Sequence, residues 1–256
     1  MDVKLIITDL DRTLLRSDKT ISDFTADVLR RCRERGIIVA FATMRPFHGI
    51  NRLRKIVNPD IVIADGGAEI WRGETLIFRN PISKETTAEL LAALLACREI
   101  KMISVTAVDG TFTNYSGKPW DEGWEFISTD FADGREYDAT KFSAEFLHID
   151  AAKELVQGFP ELRFVANTGE NWCQILAKNS CKEAAAAKLC EELGIGAHEA
   201  LAFGDDFSDT ALIKWSGAGV AVGNAIDEVR QAADFICADN DSDGVARWLE
   251  ENIFGV

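Results

Sequence analysis

The sequence predicts an α/β protein with a doubly wound, Rossmann-like and mostly parallel sheet, into which an α+β module is inserted. Near-continuous apolar runs, which suit buried parallel strands, alternate with helical segments at both ends of the chain. In the middle this alternation stops, and shorter segments alternate polar and apolar residues as half-exposed antiparallel strands do. We therefore predict one domain formed by residues 1–80 and 181–256, and an inserted domain at 81–180.

The N-terminal segment predicts a βαβ unit followed by a third strand. Ser22 can cap the helix, apolar residues recur along it at helical spacing, and Gly36 can end it. The strands on either side are apolar for almost their whole length, which favours a sheet covered on both faces. The predicted elements are the strand VKLIITD (3–9), the helix SDFTADVLRRCRERG (22–36), the strand IIVAFAT (37–43) and the strand PDIVIADGG (59–67).

The middle of the chain predicts one long helix and several shorter strands. Its segments are richer in aromatic residues and turns than the segments at the two ends. This composition is typical of an antiparallel sheet with one exposed face. The helix is SKETTAELLAALLACRE (83–99), and the other segments are MISVTAV (102–108), DGTFTNYSGKPWDEGWEF (109–126), KFSAEFLHID (141–150) and LRFVANTGENWCQIL (162–176).

The C-terminal part returns to alternating helices and strands, which indicates that it completes the parallel sheet. The predicted elements are the helices SCKEAAAAKLCEELG (180–194), DTALIKWSG (209–217) and NAIDEVRQAA (224–233), and the strands EALAFGD (199–205) and AGVAV (218–222).

The composition and charge of the chain restrict its possible partners, its cellular location and the role of its cysteines. The chain has 256 residues, is 47% hydrophobic and carries a net charge of −14, which makes nucleic acid and anionic membranes poor partners. No apolar run has the length of a membrane span, and no signal-peptide pattern precedes the first strand, so we expect a cytoplasmic protein. The six cysteines are scattered, which favours free thiols over a zinc site.

Polar residues end three of the predicted parallel strands. These residues are Asp9, Thr43 and Asp205, and two further acids, Asp11 and Asp209, follow within a few positions. Because the carboxyl ends of parallel strands meet at one edge of a sheet, we expect these side chains to share one crevice. Carboxylates held that close need a counter-charge, and Mg²⁺ with oxygen ligands and a substrate phosphate supplies one.

Lys182 stands where a helix does not favour a cation. The sequence SCKE fits a capping box with Ser180 as N-cap and Glu183 as its partner, which places Lys182 in the first helical turn. Local rules are broken most often at functional sites, so we expect Lys182 to meet the acidic cluster and a bound phosphate. Lys178 competes for this role but precedes the capping box.

Four motifs together resemble the haloacid dehalogenase (HAD) superfamily, and specifically its Cof-type, subclass IIB phosphatases. They are DLDRT, FATMR, SCKEAA and FGDDFSD, and the C-terminal stretch from VAVGNA onward is similar as well. The resemblance covers roughly residues 1–80 and 180–256, with the inserted module where this subclass carries its cap domain. The chain departs from the usual motifs at Arg12, Met44, Gly66 and Ser208.

The resemblance implies a covalent mechanism. Asp9 would attack the phosphorus and form an aspartyl phosphate. Asp11 would protonate the leaving alcohol and then activate the water that hydrolyses the intermediate. Mg²⁺ would be held by Asp9, by Asp11 through its backbone carbonyl, and by Asp205.

The resemblance assigns supporting roles to three more residues. Thr43 would donate a hydrogen bond to the phosphoryl group. Lys182 would neutralise charge on the nucleophile and the phosphate. Asp209 would orient Lys182 or the water molecules on the metal.

The expected substrate is a small phosphorylated metabolite, with a sugar phosphate as the leading class, and the inserted cap domain would select it. Two other functions stay open: a phosphomutase of the same superfamily, and a non-catalytic phospho-accepting signalling domain. The candidate substrate contacts are Arg45, Asn114, Tyr115, Trp120, Trp124, Asn171 and Trp172.

Overall fold

The computed structural model describes residues 2–117, 125–166 and 170–255. The chain divides into two compact units: Met1–Ile77 with Cys181–Val256, which we call the core unit, and Phe78–Ser180, which we call the inserted unit. The strands are β1 (Leu5–Thr8), β2 (Ile38–Ala42), β3 (Ile61–Ala64), β4 (Glu69–Arg72), β5 (Thr75–Arg79), β6 (Ile100–Ala107), β7 (Gly110–Thr113), β8 (Ile127–Ser128), β9 (Ala139–Phe146), β10 (Leu162–Ala166), β11 (Trp172–Ala177), β12 (Ala200–Gly204), β13 (Ala218–Ala221) and β14 (Phe235–Ile236).

Each of the helices lies wholly within the core unit or wholly within the inserted unit. Short turns also follow several strands, among them Leu10–Leu14 after β1, Asp65–Gly67 after β3 and Phe207–Asp209 after β12. The helices are α1 (Asp23–Glu34), α2 (Asn51–Val57), α3 (Lys84–Ala96), α4 (Ile149–Val156), α5 (Lys182–Leu193), α6 (Thr210–Trp215), α7 (Asp227–Ala232) and α8 (Gly244–Leu249).

The core unit contains an eight-stranded sheet in the order β14-β13-β12-β1-β2-β3-β4-β5. All strand pairs from β14 to β3 are parallel, and β4 runs antiparallel to β3. The central strands β1 and β12 are buried at every position, which explains their continuous apolar sequence. The predicted α/β class and mostly parallel sheet are therefore confirmed.

The order of the central strands creates a switch point. From β1 the chain adds β2 and β3 on one side of the sheet, whereas β12, β13 and β14 extend it on the other side. Helices α1 and α8 pack together, as do α5 and α6, which gives the two helical layers of a doubly wound sheet. Ligands of such folds bind beyond the carboxyl ends of the strands at the switch point.

The inserted unit contains a six-stranded sheet in the order β10-β11-β9-β6-β7-β8, together with α3 and α4. Its strand pairs are antiparallel except β7 with β8. Its hydrophobic core includes Leu90 and Leu94 of α3, Phe142 and Phe146 of β9, and Ile175 of β11. Across the described residues of both units, no helix is long and apolar enough to cross a lipid bilayer.

Candidate active site

Three neighbouring strands of the core unit deliver the predicted polar residues to one edge of the sheet. Strand β1 lies between β12 and β2, and Thr8 of β1 is level with Phe203 of β12 and with Phe41 of β2. Asp9 directly follows β1, Thr43 directly follows β2, and Asp205 directly follows β12. The parallel register therefore brings together residues that are almost 200 positions apart in sequence.

Lys182 joins two of the acids. Its Nζ lies 2.6 Å from Asp9 Oδ1 and 2.7 Å from Asp209 Oδ1, and only 2% of the side chain is exposed. Among the described residues, Asp9 Oδ2 has no hydrogen-bond partner, so one oxygen of this carboxylate stays available for chemistry. The expectation that Lys182 meets the acidic cluster agrees with this geometry.

The predicted cap of the Lys182 helix is wrong by one residue. The N-cap of α5 is Cys181, whose Sγ accepts a hydrogen bond from the backbone N–H of Ala184, at 3.4 Å. Ser180 instead accepts a hydrogen bond from Asn80 Nδ2, at 3.0 Å. A thiol is a weak acceptor, so sequence rules do not favour cysteine as a cap. Lys182 nevertheless lies in the first turn, where the sequence places it.

A close backbone approach fixes the position of the α5 N-terminus. The turn Asp65–Gly67 packs against this helix, and Gly67 has a φ of 100°. A Cβ at Gly67 would lie 2.2 Å from the carbonyl oxygen of Cys181. Only glycine permits this contact, which holds the residue next to Lys182 in place.

Asp205 and Asp209 are held by different sets of hydrogen bonds. Thr13 Oγ1 donates to Asp205 Oδ1 at 3.0 Å, a contact that the sequence does not reveal. Asp209 Oδ2 accepts from the backbone N–H groups of Asp205 and Asp206, while its Oδ1 accepts from Lys182. Both oxygens of Asp209 are thus occupied, which suits a residue that orients Lys182.

Three buried carboxylates form the acidic cluster. Asp9, Asp205 and Asp209 each offer an oxygen, and these oxygens all lie within 4.8 Å of one another. Oxygen donors at such spacing are the ligand set that a hard divalent cation takes. The residues therefore fit a divalent cation. The Asp11 carboxylate is not part of this cluster, so any part that Asp11 takes in binding a cation falls to its backbone carbonyl.

The electrostatics show that the cluster lacks positive charge. Burial, opposed by Lys182 and reinforced by Asp209 and Asp205, raises the pKa of Asp9 well above its usual value. Burial and the charge of Asp209 raise the pKa of Asp205 to about 7. Burial lowers the pKa of Lys182, but Asp209 and Asp9 outweigh it and raise this pKa, so Lys182 stays charged. One lysine does not compensate three carboxylates, and a cation would supply the missing charge.

Asp11 has a separate environment. Arg45 donates from Nε to Asp11 Oδ2 and from a terminal nitrogen to Oδ1, both at 2.7 Å, and Lys19 Nζ lies 2.9 Å from Oδ1. Burial would raise the pKa of Asp11, but these cations hold it at about 2. Asp11 is therefore an ionised carboxylate in this state, and the two cations must move away from it before it can hold a proton. The sequence suggests Arg45 as a substrate contact, whereas the structure places it against Asp11.

Thr43 has its hydroxyl oxygen engaged as an acceptor. The backbone N–H of Arg45 donates to Thr43 Oγ1 at 3.1 Å, and Thr43 is only 1% exposed. The hydroxyl hydrogen can still be donated, which is what binding a phosphoryl oxygen requires.

The remaining predicted contacts lie in the inserted unit. Asn171 Nδ2 donates to the Leu147 carbonyl at 2.9 Å, and Asn114 Oδ1 accepts from the backbone N–H of Ile103 at 2.8 Å. These bonds give both amides a structural role. Tyr115 and Trp172 are also in this unit, whereas Trp120 and Trp124 lie outside the described residues.

Comparison with known proteins places this site in a family. The sequence model of the haloacid dehalogenase-like hydrolases matches residues 6–249. The chain is 28% identical over 255 residues to a 5-amino-6-(5-phospho-D-ribitylamino)uracil phosphatase of Bacillus subtilis, covering 97% of this chain and 95% of the relative.

Solved structures show the same fold. A haloacid dehalogenase-like hydrolase from Bacteroides thetaiotaomicron is 25% identical, with a TM-score of 0.86 over 97% of this chain and 99% of the other. A structure described as a HAD subclass IIB sugar phosphatase is 22% identical, with a TM-score of 0.84 over 99% of both chains. The predicted resemblance is therefore confirmed. The family match extends over almost the whole chain and includes both halves of the core unit, so the protein belongs to the haloacid dehalogenase-like hydrolases and is a phosphatase of that family.

Proposed function

We propose that the protein is a Mg²⁺-dependent phosphatase that hydrolyses a small phosphorylated metabolite through an aspartyl phosphate on Asp9. One observation carries the proposal: Lys182 holds one oxygen of Asp9 while the other has no hydrogen-bond partner among the described residues. A nucleophilic carboxylate needs such a fixed orientation, with one oxygen open to the phosphorus. The buried position of Asp9, 6% exposed, also removes water that would compete for it.

Two further residues of the core unit would bind the phosphoryl group. Lys182 neutralises negative charge that builds up on the transferring group, because it is buried and stays protonated. Thr43 donates its hydroxyl hydrogen to a phosphoryl oxygen. Asp209 keeps the ammonium group of Lys182 aimed at Asp9 through the 2.7 Å contact.

Asp11 is proposed as the residue that moves the protons. Arg45 and Lys19 keep its carboxylate ionised, which is the form that takes a proton from the attacking water. The earlier step, protonation of the leaving alcohol, requires a proton on Asp11. The arrival of the substrate must therefore weaken the contacts that now hold the pKa of Asp11 at about 2.

The divalent ion would be held by the Asp9 and Asp205 carboxylates and by the backbone carbonyl of Asp11. When bound, it would supply positive charge to the oxygens of the transferring phosphoryl group. The raised pKa of Asp205 supports this assignment, because a carboxylate whose charge is destabilised by burial and by Asp209 gains most from a bound cation.

The leading substrate class is a phosphorylated sugar or sugar-like polyol. The B. subtilis relative is named for a phosphorylated ribityl compound, and the subclass IIB structure is described as a sugar phosphatase. We also propose that the inserted unit, Phe78–Ser180, selects the substrate. The site lies in the core unit, so this other unit is available for recognition.

The test is a screen of phosphorylated metabolites for release of inorganic phosphate with and without Mg²⁺. The panel includes hexose and pentose phosphates, 5-amino-6-(5-phospho-D-ribitylamino)uracil, and an aryl phosphate as a general reporter. We expect hydrolysis of at least one polyol phosphate, loss of activity in EDTA and its return with Mg²⁺. Isomerisation of a sugar phosphate primed by a bisphosphate would instead indicate a mutase, and activity without a divalent ion would refute the proposed chemistry.

A further inference from the structure

Arg12 occupies a backbone conformation that does not favour its side chain. The residue has φ 62° and ψ 8°, in the left-handed region where the Cβ of an L-residue is crowded. Glycine adopts this conformation without that crowding. A large charged residue at such a position indicates that its side chain is used.

Hydrogen bonds from two asparagine side chains hold the backbone of the loop that carries Arg12. Asn224 Nδ2 donates to the Arg12 carbonyl at 2.8 Å, and Asn224 Oδ1 accepts from the backbone N–H of Asn240 at 3.0 Å. Asn240 Nδ2 in turn donates to the Leu15 carbonyl at 2.9 Å. These bonds hold the main chain on both sides of Thr13, so the base of the Arg12 side chain is preorganised.

The guanidinium group of Arg12 lies beside the acidic cluster but forms no hydrogen bond with it. Arg12 Nε is 3.8 Å from Asp205 Oδ2, beyond hydrogen-bond distance, and the side chain is 57% exposed. Among the described residues, the guanidinium has no hydrogen-bond partner. Its planar set of N–H donors is thus open to solvent next to a carboxylate that the divalent ion would occupy.

A guanidinium in this position matches one class of ligand. Arginine binds phosphate oxygens through two parallel hydrogen bonds, which no other side chain does as well. The chain carries a net charge of −14, so an anionic substrate needs a local positive charge to approach the cluster. Lys182 is buried and already hydrogen-bonded to two carboxylates, whereas Arg12 is exposed and, among the residues that the structure describes, makes no hydrogen bond through its guanidinium.

We propose that Arg12 is a substrate-binding residue that captures the phosphate group beside Asp205. The proposal rests on the proposed phosphatase function and adds a residue to its phosphate-binding set. Arg12 acts on binding of the phosphate, both as substrate and as product, and does not take part in proton transfer or in attack on phosphorus.

The decisive variant is Arg12→Gly, which removes the guanidinium and also relieves the left-handed strain, so it should fold at least as well as the native chain. Arg12→Lys keeps the charge and loses the planar donor set. Arg30→Ala is the matched control, because Arg30 lies in the same unit, is 54% exposed and pairs with Asp27 and Glu34 instead of the cluster.

The readouts are the steady-state constants for Mg²⁺-dependent hydrolysis of an aryl phosphate, the inhibition constant of inorganic phosphate, and calorimetric titrations of Mg²⁺ alone and of phosphate into the Mg²⁺-loaded protein. For Arg12→Gly we expect KM and the phosphate inhibition constant to rise about tenfold, the loss of one bidentate contact, with kcat nearly unchanged. For Arg12→Lys, both constants should lie between those of the native protein and those of Arg12→Gly. For Arg30→Ala, both should match the native values. The effect should shrink as salt is added, because Arg12 is exposed.

The outcomes separate the two proposals. If the native protein hydrolyses no phosphate ester, the proposed function fails, and calorimetry with phosphate still tests Arg12. If Arg12→Gly binds phosphate as tightly as the native chain, the inference is wrong. If it binds Mg²⁺ alone more weakly, Arg12 acts through the metal site, which also overturns direct capture of the phosphate.

Discussion

Lys182 decides the charge balance of the site. It is the buried cation that contacts both Asp9 and Asp209, at 2.6 Å and 2.7 Å. Removing one partner of a buried ion pair leaves uncompensated charge, which is more harmful than removing all partners together. The same group would stabilise the developing charge of the transferred phosphoryl group. If the proposed role is right, structure and catalysis both depend on one ammonium group.

Replacement of Lys182 by methionine tests this double dependence. The side chain keeps its length and loses its charge, so we expect kcat to fall about 10³-fold, as when an electrostatic stabiliser is removed. The measurement is phosphate release under saturating substrate and Mg²⁺. Lys188→Met is the matched control, since Lys188 is an exposed residue on the same helix. A Lys182→Met enzyme with native kcat would exclude the proposed role.

Asp11→Asn separates proton transfer from metal binding. The amide cannot take up or release the proton, so we expect kcat to fall by about 10²–10⁴, the usual range for loss of general acid–base catalysis. Mg²⁺ affinity, measured by calorimetry, should stay near the native value because the Asp11 carboxylate lies outside the acidic cluster and the proposed ligand is the backbone carbonyl, which the substitution keeps. Asp18→Asn, which alters an exposed acid on the same loop, is the control. Unchanged turnover in Asp11→Asn would rule out the assignment.

The sequence predicts the members of the site better than the contacts among them. Asp9, Thr43 and Asp205 are predictable because each ends an apolar strand, and parallel strands share an edge. The pairing of Arg45 with Asp11 has no such signal, since it depends on side-chain directions in two separate loops. The contact between Thr13 and Asp205 is hidden for the same reason. Periodicity reports which residues reach the edge of the sheet and does not report which atoms meet there.

At the scale of elements, the turn after β3 positions the helix that carries Lys182. Gly67 passes so close to Cys181 that a Cβ would lie 2.2 Å from the Cys181 carbonyl oxygen. The sequence DGGA shows a turn, but it does not show that this turn touches the start of α5, which is more than 100 residues away. The prediction of Ser180 as the helix cap failed at this same place, because tertiary packing sets where α5 begins.

Gly67→Ala should destabilise the core unit by about 3 kcal/mol or more, because it combines left-handed strain with a backbone clash. Gly73→Ala is the matched control, because Gly73 also has a positive φ, 57°, but a Cβ there would meet no atom within 4 Å. We therefore expect only the backbone strain, a loss of about 1 kcal/mol in the free energy of unfolding. Urea denaturation measures the free energy of unfolding of both variants, and the two can be compared if the dependence on urea concentration is the same for each. Equal midpoints for the two variants would show that the approach to Cys181 carries no energy. Reduced kcat in folded Gly67→Ala would link the turn to Lys182.

A second element, the turn before α8, is tied to the N-terminal part of the chain through Asp243. Its carboxylate accepts hydrogen bonds from Arg16, Ser22 and Thr25, at 2.7–3.2 Å. Burial would raise the pKa of Asp243, but these donors outweigh it and hold the pKa below its usual value. The folded state therefore favours the ionised form, which links stability to pH.

Asp243→Asn should cost about 1–3 kcal/mol at neutral pH, the range for hydrogen bonds to a charged group. Asparagine tolerates the left-handed backbone at this position, φ 56°, so strain is not added. Since the folded pKa is depressed, the difference between the native and variant proteins is complete above the pKa of an unfolded aspartate, about 4, and is lost as the pH falls through the lower folded pKa. Thermal unfolding of both proteins from pH 7 down to about pH 2 measures this difference. A difference that is constant across this range would exclude the charge as its origin.

At the scale of the whole molecule, the two units are built from the chain in different ways. The core unit joins segments that are far apart: Leu5 of β1 is level with Ala200 of β12. The inserted unit is one continuous stretch with its own hydrophobic core. Contacts close in sequence form at a lower entropic cost than contacts across a long loop. The inserted unit therefore has what an independent folding unit needs, whereas the core unit requires both ends of the chain.

The polypeptide 78–180 should consequently fold alone. We expect a cooperative thermal transition and a dispersed amide proton spectrum, because β9 is paired on both sides, with β6 and β11, and Phe142 and Phe146 are fully buried. Phe142→Ala serves as the control, since loss of a buried phenylalanine should cost about 3–5 kcal/mol and abolish the transition of so small a unit.

Mg²⁺ should leave the isolated unit unchanged and stabilise the full chain, because the acidic cluster lies in the core unit. A non-cooperative isolated unit would show that its core depends on the rest of the chain. Stabilisation of the isolated unit by Mg²⁺ would contradict the assignment of the metal to Asp9 and Asp205.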